Sequence, residues 1–121
     1  MQHSTGNPTK AQQKRFERMS DIGCVPCIIK GIYQNPPQIH HIVKGKKRLG
    51  HDYTIAKCPY HHEGHLPLGY KFDQVRERMG PSYALEPEAF EHEFGTQEEL
   101  LEFQNALLDH YVECEMWRDE E

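Results

Sequence analysis

Two short pairs constrain this chain more than anything else in it: Cys24-Val25-Pro26-Cys27 and, after thirty intervening residues, Cys58-Pro59-Tyr60-His61. C-x2-C followed by C-x2-H is metal-ligand spacing. Zinc takes thiolate and imidazole in a tetrahedron, and a site closed by four protein ligands is structural. Side chains three residues apart converge on a knuckle or a helix start. Cys24, Cys27, Cys58 and His61 therefore predict a Cys3His zinc site. The competing reading is two unrelated pairs with His61 at the surface.

The staple matters because the chain is short. It has 121 residues, of which 36% are hydrophobic, enough for one domain with a modest core and a helical extension. No stretch approaches twenty apolar residues, so no membrane span is expected. Met1 to Lys10 is polar, unlike a signal peptide. With cysteines in metal spacing, the expectation is a reducing, cytoplasmic setting. Charge is unevenly spread. Residues 1–80 carry 13 Lys and Arg against 6 Asp and Glu, and residues 81–121 carry 1 against 13. The basic part suits a polyanion such as DNA. The acidic part suits water, a protein partner or the basic part itself.

Local signals divide the chain into a flexible tail (1–8), a metal-bearing domain with an N-terminal helix (9–80) and an acidic helical extension packed on it (81–121). Thr9 with Gln12 forms a capping box for a helix over Lys10 to Ser20, which Gly23 ends. Gln38 to Val43 reads as a strand, Lys44 to Gly50 as a basic loop, Tyr53 to Ala56 as a second strand, and Cys58 to His65 as a helix start. Helices follow over Tyr70 to Met79 and Pro87 to Phe94. Thr96 with Glu99 caps the last, an amphipathic helix from about Gln97 to Trp117 with Leu100, Phe103, Leu107, Tyr111 and Cys114 on its apolar face. Cys114 is expected there as a core residue. The fold class is α+β: strand, loop, strand, helix, with metal ligands at both ends, flanking helices and a long C-terminal helix.

The same block holds His40, His41, His62 and His65. Hydrolysis of a phosphodiester needs a water deprotonated, the phosphorane charge neutralised and the leaving oxygen stabilised. A histidine can do the first and a divalent cation the other two. On a helix His62 and His65 share a face and could bind one ion. His61, about 100° away from His62, points to the zinc instead. Strand alternation sends His40 and His41 to opposite faces. Both reach one site only if the strand ends or bulges there, or if the phosphate sits at its tip. Otherwise one is functional and the other structural. Lys44, Lys46, Lys47 and Arg48 are expected on phosphate, without base specificity; the alternative is a merely soluble loop.

On Gly23-Cys24-Val25-Pro26-Cys27, Ile39-His40-His41-Ile42, Gly50-His51-Asp52-Tyr53-Thr54-Ile55 and Cys58-Pro59-Tyr60-His61-His62, with a supporting stretch at Phe94 to Leu101, the chain resembles the His-Asn-His (ββα-metal, treble-clef-like) endonucleases. Within them it is most similar to the RecA-dependent nucleases of the phage recombination-enhancement, Ref-like type. The resemblance implies a metal-dependent DNA endonuclease of a phage or prophage, acting where a RecA filament pairs a single strand with a duplex. It places His41 as general base, and His40, His62 and His65 as ligands of a catalytic Mg²⁺ or Mn²⁺. Tyr53 stands where the family has the asparagine that orients the base; His51, Asp52 and Thr54 are the candidates for that task. His65 is one residue short of the usual spacing from His62, and water or His51 are alternatives for its place. Lys57 replaces an apolar residue of relatives, and is expected at the surface or on phosphate. The rival to an enzyme is a non-catalytic zinc module that binds DNA or a recombination protein.

Overall fold

The computed structural model describes residues 6–120, with side chains of the last helix up to Met116. The expected tail thus lies outside the described residues as far as Thr5. The chain runs α1 (Lys10–Ile22), α2 (Val25–Ile29), β1 (Gln38–His41), β2 (Val43–Lys44), β3 (Lys47–Arg48), β4 (Thr54–Lys57), α3 (Pro59–Glu63), α4 (Phe72–Met79), α5 (Pro87–Phe94) and α6 (Gln97–Glu120). This is an α+β fold in which β1, β4 and α3 form a ββα unit. No helix among the described residues is long and apolar enough to cross a membrane.

β1 and β4 pair antiparallel, with Gln38 opposite Lys57 and His41 opposite Thr54. The strand expected over Gln38 to Val43 breaks at Ile42. Its N–H bonds the Tyr53 carbonyl at 2.9 Å, and its own carbonyl accepts from Leu49 N–H at 3.0 Å. The Ile42 side chain is buried there. Beyond this bend the basic segment is a hairpin rather than a loop, since β2 pairs with β3. Gly45, with φ +64°, takes the first position of its two-residue turn, where a positive φ favours glycine.

Both capping boxes form. Thr9 and Gln12 exchange bonds at 2.8 and 3.2 Å. Thr96 and Glu99 do so at 3.0 and 3.1 Å. Gly23 ends α1 at φ +86°, and a Cβ there would meet the Gln34 and Asn35 backbone at 2.8–2.9 Å. That close approach lets Cys24 N–H bond the Asn35 carbonyl, which frames the Cys24–Cys27 knuckle.

Two buried clusters result. One joins Met19 of α1, Ile55 and Ala56 of β4, Phe90 and Phe94 of α5, and Leu100 and Leu108 of α6. The other holds Cys24, Cys27, Cys58, Tyr60, Val75 and Met79. The acidic extension therefore contributes to the same core as the ββα unit.

The long helix forms with Leu100 buried as expected, but beyond it the buried face shifts from the one expected. Leu100, Gln104 and Leu108 are buried, whereas Phe103 is 40% exposed. Cys114, expected in the core, is exposed. The face is turned by about one residue because β4 has an open edge. Gln104 closes it: Oε1 accepts from Ala56 N–H at 2.7 Å, and Nε2 donates to the Thr54 carbonyl at 2.8 Å. A buried amide that replaces a missing strand outweighs the burial of a few more apolar atoms. Gln104→Ala is expected to destabilise the fold by about 2–3 kcal/mol, since it strands the Ala56 N–H. A urea midpoint unchanged from wild type would contradict this.

Candidate functional site

The knuckle of α2 and the β4–α3 junction bring four ligands together. Cys24, Cys27, Cys58 and His61 are all buried, and their ligand atoms lie within 4.8 Å of one another. His61 Nδ1 is 3.3 Å from Cys24 Sγ, 3.5 Å from Cys27 Sγ and 3.3 Å from Cys58 Sγ, and the Cys27 and Cys58 sulfurs are 3.9 Å apart. A tetrahedral ion with Zn–S of about 2.3 Å and Zn–N of about 2.0 Å needs edges of about 3.5 Å (S···N) and 3.8 Å (S···S). The donor set and its spacing fit zinc.

The surroundings fit as well. The Met79 carbonyl can only accept, so His61 Nε2, 2.8 Å away, carries the proton and Nδ1 faces the sulfurs. Asn35 Nδ2 donates to Cys27 Sγ at 3.3 Å, and His61 N–H reaches Cys58 Sγ at 3.5 Å. Hydrogen bonds from the Cys24 and Cys27 thiols hold Cys58 far below the usual thiol range, while burial drives Cys24 up. Burial alone would lower His61, but its bonds to the Cys27 and Cys58 sulfurs win and raise it to about 9.

The strand histidines separate as alternation requires. Gln38 and His40 share one face of β1. The His40 ring lies 4.8 Å from that of His62 on α3 and 5.7 Å from that of Tyr83. His40 Nε2 is 3.0 Å from Gln97 Oε1, and Gln97 Nε2 donates to the Tyr83 hydroxyl at 3.2 Å. His62 Nδ1 is 2.8 Å from Gln38 Oε1. Each amide oxygen accepts, so His40 keeps its lone pair on Nδ1 and His62 on Nε2. Burial, then the Lys57 charge, pushes His40 down to about 4. The same two causes lower His62. Both rings are neutral at neutral pH, the form that binds a metal.

His41 faces the other way, among α1 and the 51–54 turn. Its Nε2 is 3.0 Å from His51 Nδ1, and His51 Nε2 is 2.8 Å from the Gly6 carbonyl. The Gly6 carbonyl can only accept, so His51 Nε2 donates to it; where His51 Nδ1 accepts from His41 Nε2, the lone pair of His41 is left on Nδ1. Phe16 packs edge-on against both rings. The turn is held by Thr54 Oγ1, which donates to the His51 carbonyl at 2.8 Å, and by Gln12, which donates to Asp52 at 3.2 Å. Of the three candidates for the orienting task, His51 is the one whose side chain meets a ring nitrogen of His41 at hydrogen-bond distance.

His65 is not brought to His40 and His62. α3 stops at Glu63, and Gly64 turns into the left-handed region at φ +79°, so the helical face that would pair His62 with His65 ends too soon. His65 Nε2 lies 3.9 Å from Glu63, with the side chain 68% exposed. Among the described residues, Cys24, Cys27, Cys58 and His61 are the one group of three or more His, Cys, Asp or Glu spaced for a metal. Lys44, Lys46, Lys47 and Arg48 are exposed on the β2–β3 hairpin. Lys44 Nζ sits 3.6 Å from Glu98 on α6.

Lys57 reaches neither surface nor phosphate. It is fully buried, with Nζ 4.1 Å from the centre of the Tyr83 ring and 5.1 Å from that of Phe90. Burial lowers it to about 8. Nothing in the sequence marks Gln38, Tyr83 or Gln97, which surround His40 and His62. A lone glutamine or tyrosine far along the chain has no periodicity to betray it.

The family model described as recombination enhancement, RecA-dependent nuclease, matches residues 8–109. No curated protein matches the chain.

Proposed function

We propose a reaction for this chain, which belongs to the family of recombination-enhancement, RecA-dependent nucleases: hydrolysis of a DNA phosphodiester, with His41 as general base and a divalent cation at His40 and His62. One observation carries the reading. On a single edge strand, two neighbouring imidazoles each have one nitrogen locked by a partner and the other left free.

β1 is one of only two strands in its sheet, so it has an outer edge. A phosphate at that edge, or at the strand tip, meets His41 Nδ1 from one face and the His40–His62 pair from the other. His41 Nδ1 takes the proton of the attacking water, and the contact of His41 Nε2 with His51 Nδ1 holds the ring in the orientation that presents Nδ1. A divalent cation held by His40 Nδ1 and His62 Nε2 would neutralise charge on the phosphate and the leaving 3′ oxygen. Two imidazoles suit Mn²⁺ better than Mg²⁺, which prefers oxygen. With His65 turned away, solvent and phosphate oxygens would have to supply the other ligands of such a cation.

The hairpin begins two residues after His41 and carries four cations alongside the phosphate. Neutralising Lys46 and Lys47 is expected to lower the slope of log Kobs against log[salt] by about 1 for each phosphate left without its lysine, at every sequence alike. Binding titrations over a salt series check it; an unchanged slope would take the hairpin off the DNA. Lys44, which shares its charge with exposed Glu98, is expected to count for less.

The decisive experiment is cutting of a duplex paired to a RecA-coated single strand, in the cytoplasmic setting of a phage or prophage protein. Mn²⁺ should support it, and His62→Ala should lose it. The opposed faces of His40 and His41 favour one alternative, a zinc module that binds DNA or RecA without cutting. Binding that persists with no cleavage under any divalent ion selects that alternative.

A further inference from the structure

Among the described residues, Lys57 Nζ is the one buried side-chain nitrogen or oxygen with no hydrogen-bond partner. A buried, unpaired ammonium is costly, and something must offset it. The rings of Tyr83 and Phe90 do part of this, since an aromatic face attracts a cation. The zinc pocket lies on the far side of those rings. Lys57 directly precedes the ligand Cys58. The Phe90 ring under its ammonium is 6.3 Å from the ring of His61, and Phe90 in turn packs on Phe94, 5.4 Å from that same ring. One aromatic wall thus borders both the ammonium and the zinc pocket.

A zinc ion with three thiolates and a neutral imidazole carries a net charge of −1. Here that charge is fully buried. The hydrogen bonds to its sulfurs, from Asn35 and the His61 backbone, come from neutral donors and leave the net charge in place. We propose that Lys57 is the counter-cation of the zinc–thiolate centre, acting through space across a dry aromatic wall. Low local polarity lengthens the reach of such an interaction. Lys57 is then a positioning charge for the structural metal rather than a group on substrate. The inference rests on the zinc pocket; the same charge also bears on His40 and His62, so Mn²⁺ binding there is read separately from zinc.

The test is zinc affinity of the full chain, by competition with a chromophoric chelator, together with the rate at which an electrophile alkylates the zinc-bound thiolates. Lys57→Met keeps the length of the stem and removes the charge. It should weaken zinc by about tenfold or more, the range for groups that support metal ligands, and should speed alkylation. In a Cys24→His background the centre is neutral, so adding Lys57→Met should cost no zinc affinity. Should Lys57→Met fail to fold with zinc, the same Cys24→His change should restore folding. Unaltered zinc affinity in Lys57→Met, an equal loss in both backgrounds, an effect on Mn²⁺ binding alone, or no rescue of folding would each overturn the proposal.

Discussion

Stripping the metal from Cys24, Cys27, Cys58 and His61 is expected to unfold the chain. A structural zinc site contributes about 10–16 kcal/mol of apparent binding free energy at neutral pH in small domains. Domains of this size are stable by about 5–15 kcal/mol in total. The three cysteine ligands are also the middle of one of the two buried clusters, with Tyr60, Val75 and Met79 around them. Metal loss would leave three thiols and the Nδ1 of His61 facing one another in the buried space where α2, β4 and α3 meet. Far-UV circular dichroism during chelator titration should show cooperative loss of helix, reversed by added zinc. Cys58→Ser should behave as the stripped protein does. A melting temperature indifferent to chelator would show that the four side chains hold nothing together.

The second large effect is on chemistry alone. His41→Ala should lower cleavage by about 10²–10⁴-fold, the usual contribution of a positioned general base, and leave DNA binding near wild type. His51→Ala should cost less, because His41 remains but its ring can turn. The pH profile gives an independent readout. Burial first, then the charges of Arg48 and His51, hold His41 below the usual histidine value. A lowered pKa keeps the base unprotonated further into acid, so the acid limb of kcat/KM should fall below about 6.5, the unperturbed value. Full cutting by His41→Ala, or an acid limb displaced upward, would remove His41 from the mechanism.

The Cys3His cluster is legible in the sequence because its spacing points to it: ligands three apart converge wherever the chain turns. Both capping boxes are legible for the same reason, each joining residues three apart. The candidate catalytic residues are legible only as types. That His40 and His41 diverge follows from β alternation, but their partners come from far away, His51 from the turn before β4 and Gln97 from the head of α6. The basic segment hides a hairpin because the bend at Ile42 depends on Tyr53 and Leu49 across the fold. His65 joins His62 only if α3 continues, and Gly64 stops it. Apolar periodicity points to Phe103 and Cys114 as the inner face of α6. An amide instead meets a backbone need of β4 that no pattern of apolar residues expresses.

That amide has a consequence beyond the stability of one molecule. A ribbon of two strands offers two rims onto which a strand from another chain could add, and one of these is closed by Gln104 along Thr54 and Ala56. The closure turns a surface prone to sheet extension into one that recruits nothing. At high concentration, a variant lacking the Gln104 side chain should therefore turn cloudy through cross-chain β-stacking sooner than its modest loss of stability alone would suggest.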